Sequence, residues 1–226
     1  MKELLFPAED AMVRCDAGFE GKRRLARCAA GLAVLVLAAV GLAAGQDDPE
    51  ARLKVSDKPL TAEQLAVYRV VLGNWMAQEM PALNLAVQTV PFPTSGGFDA
   101  SGCLKDLDLE PASPTVVHRF RQQDLAQLGP ARTFTLVDPD RQRKEVHDND
   151  PEKTIGDGRT IEDAVRNGFA HGLATLSEIR FDKKHKHAIV SYGFYCGSLC
   201  GNGGALLLEK IDGVWQRKSR CDEWIS

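Results

Sequence analysis

His187-Ala-Ile-Val-Ser-Tyr-Gly-Phe-Tyr-Cys-Gly-Ser-Leu-Cys-Gly-Asn-Gly-Gly-Ala-Leu-Leu-Leu-Glu-Lys-Ile-Asp-Gly-Val-Trp-Gln-Arg-Lys-Ser-Arg220 holds three apolar runs separated by two breaks. Asp212-Gly213 is the dipeptide that closes a two-residue β-hairpin, because both of its residues tolerate positive φ. It pairs a strand Ala205–Ile211 with a strand Val214–Arg220. His187–Tyr195 is rich in aromatic and β-branched residues and reads as a third strand. Upstream, Leu176–Phe181 reads as a fourth, joined to it by a turn at Asp182–Lys186. Four strands in sequence make an antiparallel meander.

The remaining chain supplies helices for this sheet. Thr61 and Gln64 form a capping box, and Leu65, Tyr68, Val71, Leu72 and Trp75 recur at helical spacing, so a helix is predicted over 62–78. Thr160 opens a second helix, with Ile161, Ala164, Val165 and Phe169 on its apolar face and an end near Gly172. Leu83, Leu85, Val87 and Thr89 alternate as in a half-buried strand. Pro91 to Gly97 reads as a loop, Ser113-Pro114 as the start of a short helix through His118, and Arg132–Val137 as a strand. Segment 138–160 is the most polar and reads as a solvated loop, with a turn of helix after Asp150-Pro151. The expected fold is one α+β domain over 61–226, after a flexible leader at 46–60, with helices on one sheet face. A nuclear-transport-factor-2-like or cystatin-like roll is an analogous shape.

Residues 1–45 read as an export signal. Lys22, Arg23, Arg24 and Arg27 precede an uninterrupted small and apolar run from Cys28 to Ala44, followed by a polar stretch. Glu3, Glu9, Asp10, Asp16 and Glu20 are unusual ahead of such a run, and Met12 is the expected true start, although Asp16 and Glu20 still follow it. The rival reading is an uncleaved membrane anchor, the one case in which the protein would sit on a membrane. The expected location is therefore periplasmic or secreted. The chain carries 28 Lys and Arg against 31 Asp and Glu, a net charge of −3. That balance argues against a nucleic-acid partner, which calls for a concentrated basic face.

Four cysteines, Cys103, Cys196, Cys200 and Cys221, lie beyond the signal, which implies two disulfides in an oxidising compartment. Counting outward from the Asp212-Gly213 turn puts Gly204 opposite Cys221. Two pairings survive: Cys196–Cys200 with Cys103–Cys221, or Cys200–Cys221 with Cys103–Cys196. The first is favoured, because the surrounding glycines permit a small ring and the long closure stabilises most. Gly197, Ser198, Leu199, Gly201, Asn202 and Gly203 then form a stapled loop between strands, the candidate binding loop. The rival chemistry there is a thiol redox pair or a metal site at Cys196 and Cys200. The spacing is not that of a thioredoxin motif, and oxidation competes with metal.

Other candidates carry less. His185 and His187 beside Asp182 have the spacing of a metal pair, but three neighbouring lysines oppose a cation. His118 and His171 read as surface or half-buried helix residues. Ser177, Glu178 and Ser198 lack a nucleophile-elbow motif. Tyr192, Phe194, Trp215 and Trp224 read as core. No catalytic residue, cofactor or metal is assigned. The segments Leu176–Lys183, Ser191–Gly201, Cys103-Leu104-Lys105, Val137–Asp140 and Trp224-Ile225-Ser226 resemble a family of uncharacterised exported bacterial proteins. The resemblance implies an exported, disulfide-bonded single domain and transfers no activity. The expected function is a non-enzymatic module that binds a protein, peptide or envelope ligand. The alternative is a hydrolase with a pocket between sheet and helix.

Overall fold

A computed structural model describes residues 53–74, 82–93, 101–105, 107–111, 113, 115–128 and 133–226. All lie in the compact unit Asp47–Ser226. The signal segment, the leader up to 52, the predicted helix end at 75–78 and most of the loop after Pro93 fall outside the described residues.

The C-terminal reading holds for its last three strands, each of which is longer than predicted. β7 (His187–Gly197), β8 (Cys200–Ile211) and β9 (Val214–Ile225) are consecutive antiparallel strands. Asp212 and Gly213 close the last hairpin at φ 50° and 82°. The predicted strand Leu176–Phe181 is instead broken. β5 (Leu173–Leu176) pairs with the far half of β7, and β6 (Arg180–Phe181) with its near half. The break is fixed by Ser177, whose hydroxyl donates to the Glu178 carbonyl and accepts from the Ser191 N–H.

The sheet also extends beyond the meander. β2 (Ala82–Ala86) lies beside β5, and β4 (Thr133–Val137) beside β2, both parallel. The strand order is β4-β2-β5-β7-β8-β9. Two short strands, β1 (Lys54–Ser56) and β3 (Val116–His118), form a separate parallel pair. β1 corrects the expectation of a leader without structure to residue 60. β3 corrects the predicted helix at 113–118.

Both sheet faces are covered, not one. On the first, α1 (Ala62–Asn74) packs Leu65, Tyr68, Val71 and Leu72 onto Leu85, Leu176, Val190, Phe194, Leu206 and Leu208. The capping box forms as expected: Thr61 N–H donates to Gln64 Oε1 at 2.8 Å and Gln64 N–H to Thr61 Oγ1 at 3.2 Å. Tyr68 is fully buried and donates to the Ser177 carbonyl at 2.9 Å. Burial, and then the Glu178 charge, push its phenol well above the usual range. The second face takes the alternate residues of the same strands. Ile189, Ala205 and Leu207 meet Phe92, Leu104, Leu107 and Leu109, while Ala86 and Leu173 meet Val146. Two-sided burial is why β8 reads Ala-Leu-Leu-Leu without alternation.

Val146 belongs to α4 (Pro139–Asp148), which replaces part of the solvated loop expected over 138–160, whereas α5 (Pro151–Gly156) is the turn of helix expected after Asp150-Pro151. Each is started by an Asp whose carboxylate accepts a backbone N–H, followed by Pro in the first turn. α6 (Ile161–His171) has the expected Thr160 N-cap and ends at Gly172. Its buried face is Ala164 and Gly168, with Phe169 stacked on Phe194. Ile161 and Val165 are exposed, a correction to the predicted apolar face. The packing partner of Gly168 is backbone and Pro151, where a larger side chain could not fit. Two short helices, α2 (Ser101–Leu104) and α3 (Gln122–Leu128), have no counterpart in the sequence reading.

Candidate functional site: the cysteine hairpin and its glycine-floored groove

The structure joins Cys196 to Cys200 with their Cα atoms 5.0 Å apart, and Cys103 to Cys221 at 6.1 Å. The second bond carries α2 onto the edge strand β9, and so holds the Phe92–Leu109 cover on the sheet. Cys221 stands opposite Ala205, not Gly204. An irregularity at Leu207/Leu208 displaces the register by one residue, which turn-counting cannot see.

The candidate binding loop is mostly not a loop. Gly197 pairs with Cys200, so the connection is the two residues Ser198-Leu199. Gly201, Asn202 and Gly203 are strand residues of β8, paired with Tyr195, Phe194 and Gly193. The turn is held, too. Ser198 N–H donates to Asp150 Oδ2 at 2.8 Å and its hydroxyl to Glu152 Oε2 at 2.6 Å. Gly197 adopts φ 144°, and a Cβ there would meet Pro151 and Asp150 within 3 Å. Burial opposes ionisation of Asp150, but the Ser198 and Glu152 N–H groups outweigh it and hold the carboxyl below its usual range. Leu199 projects, 75 % exposed.

The glycines beyond the turn have a different reason. Thr175, Gly193, Gly203 and Trp224 lie in one row across four strands. A Cβ on Gly203 would stand 2.6 Å from Cε2, Cζ2 and Nε1 of Trp224, and one on Gly201 3.3 Å from its Cζ3. The indole therefore lies back over the glycines of β8. Trp224 remains 46 % exposed, which corrects its reading as core, whereas Tyr192, Phe194 and Trp215 are buried. Beside the indole, Tyr195 is 45 % exposed. Leu173, Thr175, Gly193, Tyr195, Trp224 and Arg143 line a groove of about 280 Å³. Its place on the second face follows from the two covers. Residues packed under α4 lie to one side of the glycine row and those under the Phe92–Leu109 segment to the other.

A second concavity lies near α1 and β3. His118, Glu178, Arg180, Gln64, Phe92 and Phe181 are among the residues lining a cleft of about 230 Å³. His118 is half-buried as expected, but on a strand. Its Nδ1 is 2.9 Å from Glu178 Oε2. His185 and His187 do not converge. His185 Nδ1 meets Glu63 at 3.1 Å and stacks on Phe181, while His187 Nδ1 meets Asp182 at 3.2 Å. Burial raises Glu63, yet its bonds to Lys210 and His185 prevail and keep it ionised below the usual range. Burial likewise opposes Asp182, and the His187 and Lys186 N–H groups override it. His171 Nδ1 faces the Asn167 carbonyl in α6. Among the described residues no three His, Cys, Asp or Glu side chains are grouped to hold a metal, and no helix is long and apolar enough to cross a membrane.

Set against known protein families, curated proteins and solved structures, the chain matches none. The nuclear-transport-factor-2-like or cystatin-like roll thus has no matching structure behind it, and the parallel β4-β2-β5 edge departs from a purely antiparallel meander.

Proposed function

We propose that this is an exported binding domain whose recognition surface is the groove beneath Trp224 and Tyr195. Its ligand is a protein or peptide segment that inserts one apolar side chain. The observation that carries the reading is the pair of half-exposed aromatic rings on a side-chain-free stretch of sheet. Aromatic anchors of this kind dominate protein interfaces. The groove, about 280 Å³, suits one apolar side chain. Exposed Leu199 and Ile225 at the same end of the sheet extend the apolar surface beyond it. The two disulfides support a rigid surface, which lowers the entropy lost on binding. They also support an oxidising location, in keeping with the apolar run Cys28–Ala44.

The test is selection of displayed peptides on the immobilised, disulfide-bonded protein. Selected peptides should share an apolar or aromatic residue and lose about 30-fold or more in affinity on W224A or Y195A, the cost of a hot spot. Peptides that bind both variants as tightly as the parent protein would remove the groove as the recognition surface.

A further inference from the structure

The cleft beside β3 holds chemistry that the groove does not use. Glu178 is fixed by three donors. Its Oε1 accepts from the Thr89 hydroxyl and, at 2.7 Å, from the His118 backbone N–H, and its Oε2 faces His118 Nδ1. A ring nitrogen that bonds a carboxylate carries the proton, so a neutral His118 keeps its lone pair on Nε2. Among the described residues Nε2 has no hydrogen-bond partner. This is the arrangement of a base oriented by a carboxylate. Around it the cleft offers apolar walls from Phe92, Ile179 and Phe181 and a guanidinium from Arg180, whose Cζ lies 5.6 Å from the Phe92 ring centre.

We propose that His118 is a general base, positioned by Glu178, that activates water for hydrolysis of a small ester with an apolar acyl group. Nε2 takes one proton from water as the water oxygen bonds to the carbonyl carbon, whose π pair moves to its oxygen. The tetrahedral adduct collapses, the bond to the alcohol oxygen breaks, and the proton on Nε2 passes to that oxygen. The products are one acid and one alcohol, with no change of oxidation state. The Glu178 carboxylate, 2.9 Å from Nδ1, balances the transient imidazolium. Arg180 brings positive charge to the wall where the oxyanion and the acid product carry negative charge. Phe92, Ile179 and Phe181 set the preference for an apolar acyl chain.

The experiment is hydrolysis of p-nitrophenyl butyrate by the full disulfide-bonded chain. Saturable turnover is expected. H118N, whose amide nitrogen replaces Nδ1, and H118Q should each lower kcat/KM by about 100-fold or more. E178Q should lower kcat with KM little changed, which a purely structural role would not produce. H147Q, at an exposed histidine of α4, should match the parent protein. Turnover no faster than an equal concentration of free imidazole overturns the proposal, as does retention of half the activity by both His118 variants. Should either variant lose its urea midpoint, diethyl pyrocarbonate labelling of the parent protein decides instead. Activity lost in step with His118 labelling supports the base, and activity intact on labelled His118 refutes it.

Discussion

Removing the Cys103–Cys221 bond should cost much more stability than removing Cys196–Cys200. The perturbation is a pair of double variants, C103A/C221A and C196A/C200A. The first bond joins residues 118 apart in sequence and the second residues 4 apart. In the chain-entropy treatment these closures restrict the unfolded chain by about 5 and about 2 kcal/mol respectively. The difference of about 3 kcal/mol should be widened by packing, since the long bond also fastens the Phe92–Leu109 cover over Ile189, Ala205 and Leu207. Urea unfolding followed by circular dichroism is the assay. With slopes of about 1–3 kcal/mol per molar urea, the two midpoints should differ by about 1 M or more. Equal losses, or a larger loss from C196A/C200A, would refute the reasoning. The short bond would then be holding strained or unpaired backbone, an effect larger than loop closure.

Two further outcomes follow from single sites. Gly203→Ala should destabilise by about 1–3 kcal/mol, the usual cost of overpacking, because its Cβ would stand 2.6 Å from the Trp224 ring. In a W224A background most of that cost should vanish, and a cost unchanged by W224A would show that the glycine is needed for its backbone alone. Asp150 and Asp182 are both held below the usual carboxylate range in the folded protein. A depressed folded pKa contributes stability that is complete above the unfolded value of about 3.9 and is lost as pH falls through the folded value. The stability gap between the parent protein and D150N/D182N should therefore be constant from neutral pH to about pH 5 and shrink below about pH 4. A gap that persists undiminished at pH 2 would mean the two carboxylates act without their charge.

Much of the fold is legible where local chemistry and tertiary packing agree. The Thr61/Gln64 box, the Thr160 cap and the Asp212-Gly213 turn each satisfy backbone groups within a few residues, so sequence alone exposes them. α4 is hard to read because only Pro139, Gln142 and Val146 of its ten residues are buried, and charge dominates the rest. The available signal is Asp followed by Pro, present at both 138–139 and 150–151. The β1–β3 and β2–β4 pairs join distant segments in parallel, and no periodicity reports a partner that far away. The glycines of β8 mislead for a related reason. Composition suggests a flexible loop, whereas Gly203 is small because Trp224, 21 positions later, lies on it. His118 and Glu178, 60 residues apart, are joined only by the fold.

The recognition surface is tested most directly by amide chemical shifts. A peptide selected on the domain is titrated into ¹⁵N-labelled protein. The largest changes are expected at Gly193, Gly201, Gly203 and the Trp224 indole N–H, with Tyr195 close behind. Saturating shifts confined to residues around His118 and Phe92, with these glycines unmoved, would contradict the groove as the binding site.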